Sequence, residues 1–242
     1  MTHALSVKGL SKSYGKQSVL SEINLDVMAG DYIGLIGVNG AGKTTFIKCL
    51  LDFCDIAAGS IDIFDIPHAK TESRQRLAFL PEKFIPPYYL SGKDFLVYMH
   101  ELHGTPYDEQ AVKDMLAVLD LDSTYIHKPV GQLSKGMSQK IGLAACLLSA
   151  KEMLVLDEPM SGLDPKARAY LKQYLLNLKE TGKTLFFSTH MLADVETLCD
   201  KVAILHDGAL QFSGSPQACC EQFDTQDFEQ AYLRCVGAAL PQ

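Results

Sequence analysis

Apolar and polar positions alternate along the opening of the chain, which is the pattern of paired strands. The segments LSVKGLSKSYG and SVLSEINLDVMAGD have this two-residue period, with turn signals between them. YIGLIG, from Tyr32 to Gly37, is instead a short continuous apolar run, as expected of a strand buried on both faces. We therefore predict antiparallel β-structure first and a buried strand directly after it.

A unit of strand, loop and helix follows, and its pattern recurs. After YIGLIG comes a glycine-rich turn and then KTTFIKCLLDF, in which Phe46, Ile47, Leu50 and Leu51 fall at helical spacing. Four later runs are predicted strands, namely MLVLDEP, TLFFSTH, KVAILHDG and ALQFSG, and a helix, PKARAYLKQYLLNLKETG, lies between the first two. The alternation predicts an α/β fold with a largely parallel central sheet.

The middle of the chain, at about residues 84–150, has a different pattern. PEKFIPPYYLSG is rich in proline, and DFLVYMHELHG, DEQAVKDMLAVLDL and SQKIGLAACLLSA have helical spacing. We expect a helical subdomain inserted into a single domain spanning 1–242, with a short helical appendix at about 215–242. No run of about 18 apolar residues occurs, so we expect no segment that spans a bilayer.

Composition and charge exclude some classes of function, but they do not change the predicted fold. The 242 residues carry a net charge of −7, which argues against sequence-independent binding to the phosphates of nucleic acid. The seven cysteines include no C-x-x-C pair and no histidine at the spacing of zinc ligands, so we expect reduced thiols. The first residues lack the pattern of a secretory signal, which favours a cytoplasmic location.

Candidate chemistry begins with GVNGAGKT, between the buried strand and the next helix. It matches the phosphate-binding loop, in which backbone amides and a helix N-terminus converge on phosphate oxygens. We expect Lys43 to reach the β- and γ-phosphates, Thr44 to bind Mg²⁺ and Thr45 to add a phosphate contact. The alternative interpretation of the segment is a glycine-rich turn that precedes a helix and binds nothing. The residues expected at the nucleotide are Gly37, Val38, Asn39, Gly40, Ala41, Gly42, Lys43, Thr44 and Thr45.

Two adjacent carboxylates, Asp157 and Glu158, end the apolar run MLVLDEP. Open α/β sheets collect their ligands at the carboxyl ends of strands. One carboxylate there can support Mg²⁺ while the other orients or deprotonates an attacking water molecule. The alternative is an acidic start to a turn or helix, which the phosphate-binding loop upstream makes less favourable.

With these motifs the chain resembles the nucleotide-binding ATPase subunits of ATP-binding cassette (ABC) transporters over nearly its full length. The resemblance implies a P-loop NTPase fold of the ABC ATPase type, with a mixed central sheet, an N-terminal antiparallel β subdomain and an inserted helical subdomain. It implies ATP and Mg²⁺ as ligands, with Asp157 at the metal. It also implies catalytic roles for Lys43, Glu158 and His190, the last as the family's switch histidine.

The same resemblance gives a role to the LSKGM segment, which starts at Leu133 and leads into the predicted helix. LSKGM holds the place of the family's LSGGQ signature, which implies that Ser134 and Gly136 bind the γ-phosphate of ATP held by a second subunit. The local alternative is that Ser134 only caps the helix. Asp164, in SGLD, resembles the family's D-loop aspartate, which implies a place at the bound nucleotide. Tyr14 resembles the family's adenine-stacking aromatic residue, with packing as the alternative.

Several positions depart from the family pattern. Glu82, in LAFLPEKF, stands where most relatives have a glutamine that touches Mg²⁺ and the attacking water. Its oxygens can still coordinate a hard cation, so we expect a metal contact, and the alternative is a solvated carboxylate. Lys135 and Met137 replace a glycine and a glutamine of the signature, and Met160 replaces a common threonine or serine.

The subclass and partners follow from the resemblance. The LPE run, the LSKGM signature and the tail DFEQAYLRCVG are similar to ATPases that drive ABC-2 export permeases. This implies a peripheral subunit on the cytoplasmic face of the cell membrane, paired with a second ATPase subunit, as a homodimer, and with an integral membrane permease. No nucleic-acid partner is expected. The alternatives are a soluble ABC ATPase that assembles or remodels a complex, such as in iron–sulfur assembly, and a nucleotide-binding module without turnover.

Overall fold

The first part of the chain forms an antiparallel sheet. The computed structural model describes residues 2–237, and this sheet has the strand order β2–β1–β4–β5. Strands β1 and β2 are the predicted opening pair, whereas β4 and β5 come from a segment for which the pattern predicted no strand. Their bounds are β1 (His3–Tyr14), β2 (Gln17–Met28), β4 (Ala58–Ile63) and β5 (Ile66–Pro67).

A second, six-stranded sheet has the order β10–β9–β3–β8–β7–β6. Its neighbours are parallel except for β9 and β10, which form an antiparallel pair at one edge. The predicted α/β class with a mixed central sheet is therefore confirmed. The strands are β3 (Tyr32–Ile36), β6 (Leu77–Leu80), β7 (Met153–Asp157), β8 (Thr184–Thr189), β9 (Lys201–His206) and β10 (Ala209–Gly214).

Helices cover the sheet and build the middle of the chain. Three of them, α2 to α4, lie within residues 84–150, and two, α7 and α8, lie within the predicted appendix, whose residues 238–242 fall outside the described residues. No helix between residues 2 and 237 is long and apolar enough to cross a membrane. The bounds are α1 (Lys43–Leu50), α2 (Gly92–His103), α3 (Glu109–Val118), α4 (Lys135–Leu147), α5 (Pro165–Lys179), α6 (Leu192–Leu198), α7 (Pro216–Gln222) and α8 (Phe228–Cys235).

The central sheet is buried on both faces, which explains the continuous apolar runs. Successive side chains of a strand point to opposite faces. In β8, Phe186 packs into the cluster shared with the antiparallel sheet and α1, whereas Leu185 and Phe187 pack into the cluster shared with α4, α5 and α6. The two clusters fix the sheet from both sides, so the loops at its carboxyl edge start from well-defined positions.

Candidate functional site

The register of the central strands brings three predicted motifs to one edge. Parallel pairing aligns Ile36 at the end of β3 with Thr189 at the end of β8, and it aligns Asp157 at the end of β7 with Ser188. The phosphate-binding loop, the Asp-Glu pair and His190 directly follow these strand ends. Their side chains therefore meet, although they lie far apart in the sequence.

The phosphate-binding loop leaves the start of α1 open to an anion. Gly42, which precedes the helix, has a φ of 111° and offers no side-chain cap, and the first turn contains no acidic residue. The first amide groups of a helix carry partial positive charge and need acceptors, which phosphate oxygens supply. Lys43 is buried, and its ammonium donates to the carbonyl oxygen of Gly37 at 2.7 Å.

A hydroxyl and a carboxylate meet beside this loop in a way that fits Mg²⁺. The Thr44 hydroxyl donates to Asp157 Oδ2 at 3.0 Å, and the Ser188 hydroxyl donates to Asp157 Oδ1. Within residues 2–237, no three His, Cys, Asp or Glu side chains cluster as a metal site of their own. Mg²⁺ is commonly held by one or two carboxylates together with substrate phosphates and water, so Thr44 and Asp157 suit it.

Glu158 is held in an unusual backbone conformation with one oxygen unsatisfied. Its φ is 50°, and its amide donates to the Ser188 hydroxyl at 3.0 Å. Oε2 lies 3.0 Å from Nδ1 of His190. Oε1 is buried, pairs with Nζ of Lys43 at 3.4 Å and accepts no hydrogen bond from residues 2–237. A left-handed conformation is costly for a glutamate, and such strain tends to cluster at active sites. Oε1 therefore keeps hydrogen-bond acceptor capacity beside Lys43.

A cavity of about 440 Å³ opens in front of these groups. Most of the predicted residues line it, and so do Val19 and Ser161, which the sequence did not single out. Ser161 begins the SGLD motif and could have been found there, whereas no sequence signal marked Val19. The predicted residues in the lining are Val38, Asn39, Gly40, Gly42, Lys43, Thr44, Thr45, Glu82, Glu158 and His190.

Other predicted residues lie beneath or away from the cavity wall. Gly37 and Ala41 belong to the loop but not to the lining, and Asp157 is buried behind Thr44. Tyr14 is half-exposed at the end of β1, and the ammonium of Lys12 lies 4.7 Å from the centroid of its ring. Its stacking role stays a prediction.

The signature residues lie outside the cavity of their own chain. Ser134 is exposed and caps α4, since its hydroxyl accepts from the amide of Met137 at 3.2 Å. The local alternative is thus realised in the chain, and a contact with the nucleotide of a second subunit stays a prediction. Gly136 packs against the SGLD loop, because a Cβ there would lie 2.9 Å from the carbonyl oxygen of Gly162.

Asp164 connects the SGLD loop to the signature helix. It caps α5 by accepting from the amide of Ala167 at 2.9 Å, and it pairs with the ammonium of Lys140 at 3.1 Å. The hydrogen bond from Ala167 and the bond from Lys140 lower the pKa of Asp164 to about 2. Lys140, which sequence reasoning did not single out, is buried in α4. Asp164 is therefore an ionic link to α4 and does not line the cavity of its own chain, so its place at a nucleotide stays a prediction.

Replacing Glu82 tests whether this carboxylate holds metal. We expect Glu82→Gln to retain turnover, because its amide oxygen can still coordinate. Glu82→Ala should raise the Mg²⁺ concentration for half-maximal phosphate release by about tenfold. The measurement is a Mg²⁺ titration of ATP hydrolysis, with Lys83→Ala, a change at the next exposed residue, as control. Identical titrations for the wild-type protein and Glu82→Ala would favour a solvated carboxylate.

The fold and the site define a nucleotide-binding P-loop protein. The family model described as ABC transporter matches residues 20–161. A solved structure of the ATP binding subunit of an ABC transporter superposes with a TM-score of 0.87 at 29% sequence identity, and the match covers 96% of this chain and 99% of that one. The chain belongs to the ABC transporter family.

Two curated relatives show the range of this similarity. The uncharacterized ABC transporter ATP-binding protein sll0415 of Synechocystis sp. is 40% identical over 204 residues, covering 83% of this chain and 57% of that protein. The Nod factor export ATP-binding protein I of Burkholderia lata is 33% identical over 221 residues, covering 90% and 72%. The chain thus spans less than two thirds of the length of the Synechocystis relative.

Proposed function

We propose that this chain is the ATP-binding and ATP-hydrolysing subunit of an ABC transporter, with ATP and Mg²⁺ as its ligands. The observation that carries the proposal is the meeting of Lys43, Thr44 and Glu158 at one cavity, with Asp157 directly behind it, where its carboxylate accepts from the Thr44 hydroxyl at 3.0 Å. This set supplies an anion site, hard metal ligands and a carboxylate for water. The family membership of the chain supports the same reading.

Each residue has a separate task in this proposal. The amides at the start of α1 and the Lys43 ammonium bind the β- and γ-phosphates. Thr44 and Asp157 would hold Mg²⁺, which would supply positive charge opposite the charge that develops on the phosphates. Oε1 of Glu158 orients the attacking water molecule and withdraws its proton, and His190 fixes the carboxylate through its contact with Oε2. Burial of Glu158 strengthens these interactions, because water screens them poorly there.

The partners in the proposal are a second copy of the chain and an integral membrane permease. Ser134 is exposed and lies outside its own cavity, which suits a contact with nucleotide bound by another subunit. ATP then closes a dimer and hydrolysis reopens it, from the cytoplasmic face of the membrane. Export of the ABC-2 type is the finer proposal, which the relative named for Nod factor export supports.

Phosphate release should depend on both Mg²⁺ and Lys43. EDTA should abolish turnover, and Lys43→Ala should weaken ATP binding and lower hydrolysis by about 100-fold, because a preorganised charge at the phosphates is lost. Both are measured by a phosphate-release assay and by ATP titration. Lys48→Ala is the matched control, since Lys48 lies on the same helix but is exposed. Metal-independent turnover, or unchanged ATP binding by Lys43→Ala, would contradict the proposed function.

A further inference from the structure

Two cysteines meet at the end of α1, outside the groups used above. Cys49 is fully buried in the last turn of the helix, and Cys54 follows in the next loop, half-buried. Their Sγ atoms lie 3.6 Å apart, and both are free thiols. The sulfurs of a disulfide lie about 2.0 Å apart, so a bond requires an approach of only about 1.5 Å.

The loop that carries Cys54 is fastened to the end of β1. The amide of Ala57 donates to the carbonyl oxygen of Ser11 at 2.8 Å, and Nζ of Lys12 donates to the carbonyl oxygen of Asp55 at 2.5 Å. These bonds hold the segment directly after Cys54 against the strand. A shift of the thiol therefore acts on the end of β1 and is not absorbed by a free loop.

Tyr14 connects this thiol pair to the nucleotide cavity. The neighbouring side chain of Cys54 is the foremost cause that raises the pKa of Tyr14, and the side chain of Thr45, which lines the cavity, lowers it in part. Nζ of Lys12, which donates to the carbonyl oxygen next to Cys54, lies 4.7 Å from the centroid of the Tyr14 ring. The contacts run from Cys49 and Cys54 through Lys12 to this ring, so a covalent change at the pair alters the setting of the aromatic ring.

The two thiols differ in how they can react. Burial raises the pKa of the Cys49 thiol to about 12, and the nearby positive charge of Lys12 only partly opposes this. Cys49 is therefore held as a thiol and shielded from solvent. Cys54 is partly exposed, so it is the sulfur that a small oxidant can reach.

We propose that Cys49 and Cys54 are a peroxide-modification site whose disulfide weakens nucleotide binding by shifting the segment that holds Lys12 beside Tyr14. The thiolate of Cys54 attacks an oxygen of hydrogen peroxide, forming a sulfenic acid and releasing the other oxygen as water. As Cys49 then attacks Cys54 Sγ, its thiol proton passes to the leaving hydroxide, so the S–S bond forms and a second water is released. Two thiols are oxidised and one peroxide is reduced. The effect on binding rests on the proposed function, in which Tyr14 stacks on adenine.

The purified chain is treated with hydrogen peroxide, and remaining thiols are blocked with iodoacetamide. Trypsin releases residues 49–70 as one peptide, which contains both cysteines and no other. We expect this peptide to escape alkylation at both positions after oxidation and to be doubly alkylated after dithiothreitol. The Kd for ADP, measured by calorimetry, should rise about fivefold on oxidation and return on reduction, since base stacking on an aromatic ring contributes strongly to affinity.

Three variants separate the effect of the Cys49–Cys54 disulfide from other effects of peroxide. Cys54→Ser should abolish both the disulfide and the change in Kd, and it alters a half-buried position that a serine can occupy. Cys220→Ser is the matched control, since Cys220 is also half-buried but lies on α7, and it should keep both responses. Tyr14→Ala lacks the ring that Lys12 contacts, so its disulfide should form without changing its own Kd for ADP.

The outcomes distinguish this inference from the proposed function. Peroxide-treated peptide 49–70 that remains fully alkylated overturns the modification site, whatever the nucleotide result. A disulfide that leaves the Kd for ADP unchanged in the otherwise native chain overturns the link to binding. Failure of the reduced chain to bind ADP at all contradicts the proposed function, while the peptide map still decides whether the disulfide forms.

Discussion

Glu158→Gln should retain ATP binding and lose most ATP hydrolysis. The amide keeps the shape of the side chain and an oxygen for Lys43 or His190, but it cannot withdraw a proton from water. General-base catalysis contributes about 10²- to 10⁴-fold, so we expect at least a 100-fold lower single-turnover rate. ATP affinity, measured by titration, should stay close to that of the wild-type protein, because the phosphate-binding loop is intact.

The same variant tests dimer closure. With hydrolysis blocked, ATP and Mg²⁺ should hold two chains together, and size-exclusion chromatography should show a dimer that is absent with ADP. Glu180→Gln, at an exposed position after α5, should hydrolyse ATP like the wild-type protein and should not accumulate this dimer. A Glu158→Gln chain that stays monomeric with ATP would contradict the closed-dimer model, and one that turns over normally would remove Glu158 from catalysis.

Ser134→Asp should abolish hydrolysis without weakening the fold. Aspartate caps helices as well as serine does, so the amide of Met137 keeps its acceptor. A carboxylate opposite the γ-phosphate of a second subunit would instead repel it and prevent closure. Ser134→Asp is a cleaner test of the contact than a substitution of Gly136, because a side chain at Gly136 would collide with the carbonyl oxygen of Gly162 within the same chain.

The matched control is Ser215→Asp. Ser215 caps α7 through the same type of bond, with the amide of Ala218 donating to its hydroxyl at 3.0 Å. Ser215 is not part of the LSKGM segment. Both variants should keep the thermal unfolding midpoint of the wild-type protein, and only Ser134→Asp should lose turnover. Normal turnover by Ser134→Asp would leave the serine as a helix cap alone.

Mixing two inactive chains shows whether the signature acts across a dimer. In a heterodimer of Ser134→Asp and Lys43→Ala chains, one composite site carries both changes and the other carries neither. If the motifs act across subunits, the mixture should regain phosphate release that both homodimers lack. If each chain uses its own signature, every site carries one change and the mixture stays inactive. Nucleotide occupancy of the intact site, measured in parallel, separates that result from coupling of the intact site to the doubly changed one.

The phosphate-binding loop could be predicted because its chemistry is local. A strand, a glycine-rich turn, Lys43 and a helix follow one another, so spacing alone implied an anion site between β3 and α1. The position of the Asp-Glu pair at the carboxyl end of a strand could be predicted as well, since the apolar run before it shows where β7 ends. By contrast, β4 and β5 were missed because these short strands depend on their partners, β4 on β1 and β5 on β4, and such pairing has no signal within the segment itself.

The sequence by itself determined the α/β class, the family resemblance and the identity of the groups proposed to meet phosphate and metal, because each is encoded by neighbouring residues. Only the tertiary structure decided that Thr44 meets Asp157, that Asp164 pairs with Lys140 on α4, and that one oxygen of Glu158 lies beside Lys43. It also brought Cys54 against Cys49. These contacts depend on strand register and on the packing of two buried clusters, which join residues distant in the chain and leave no periodic trace in it.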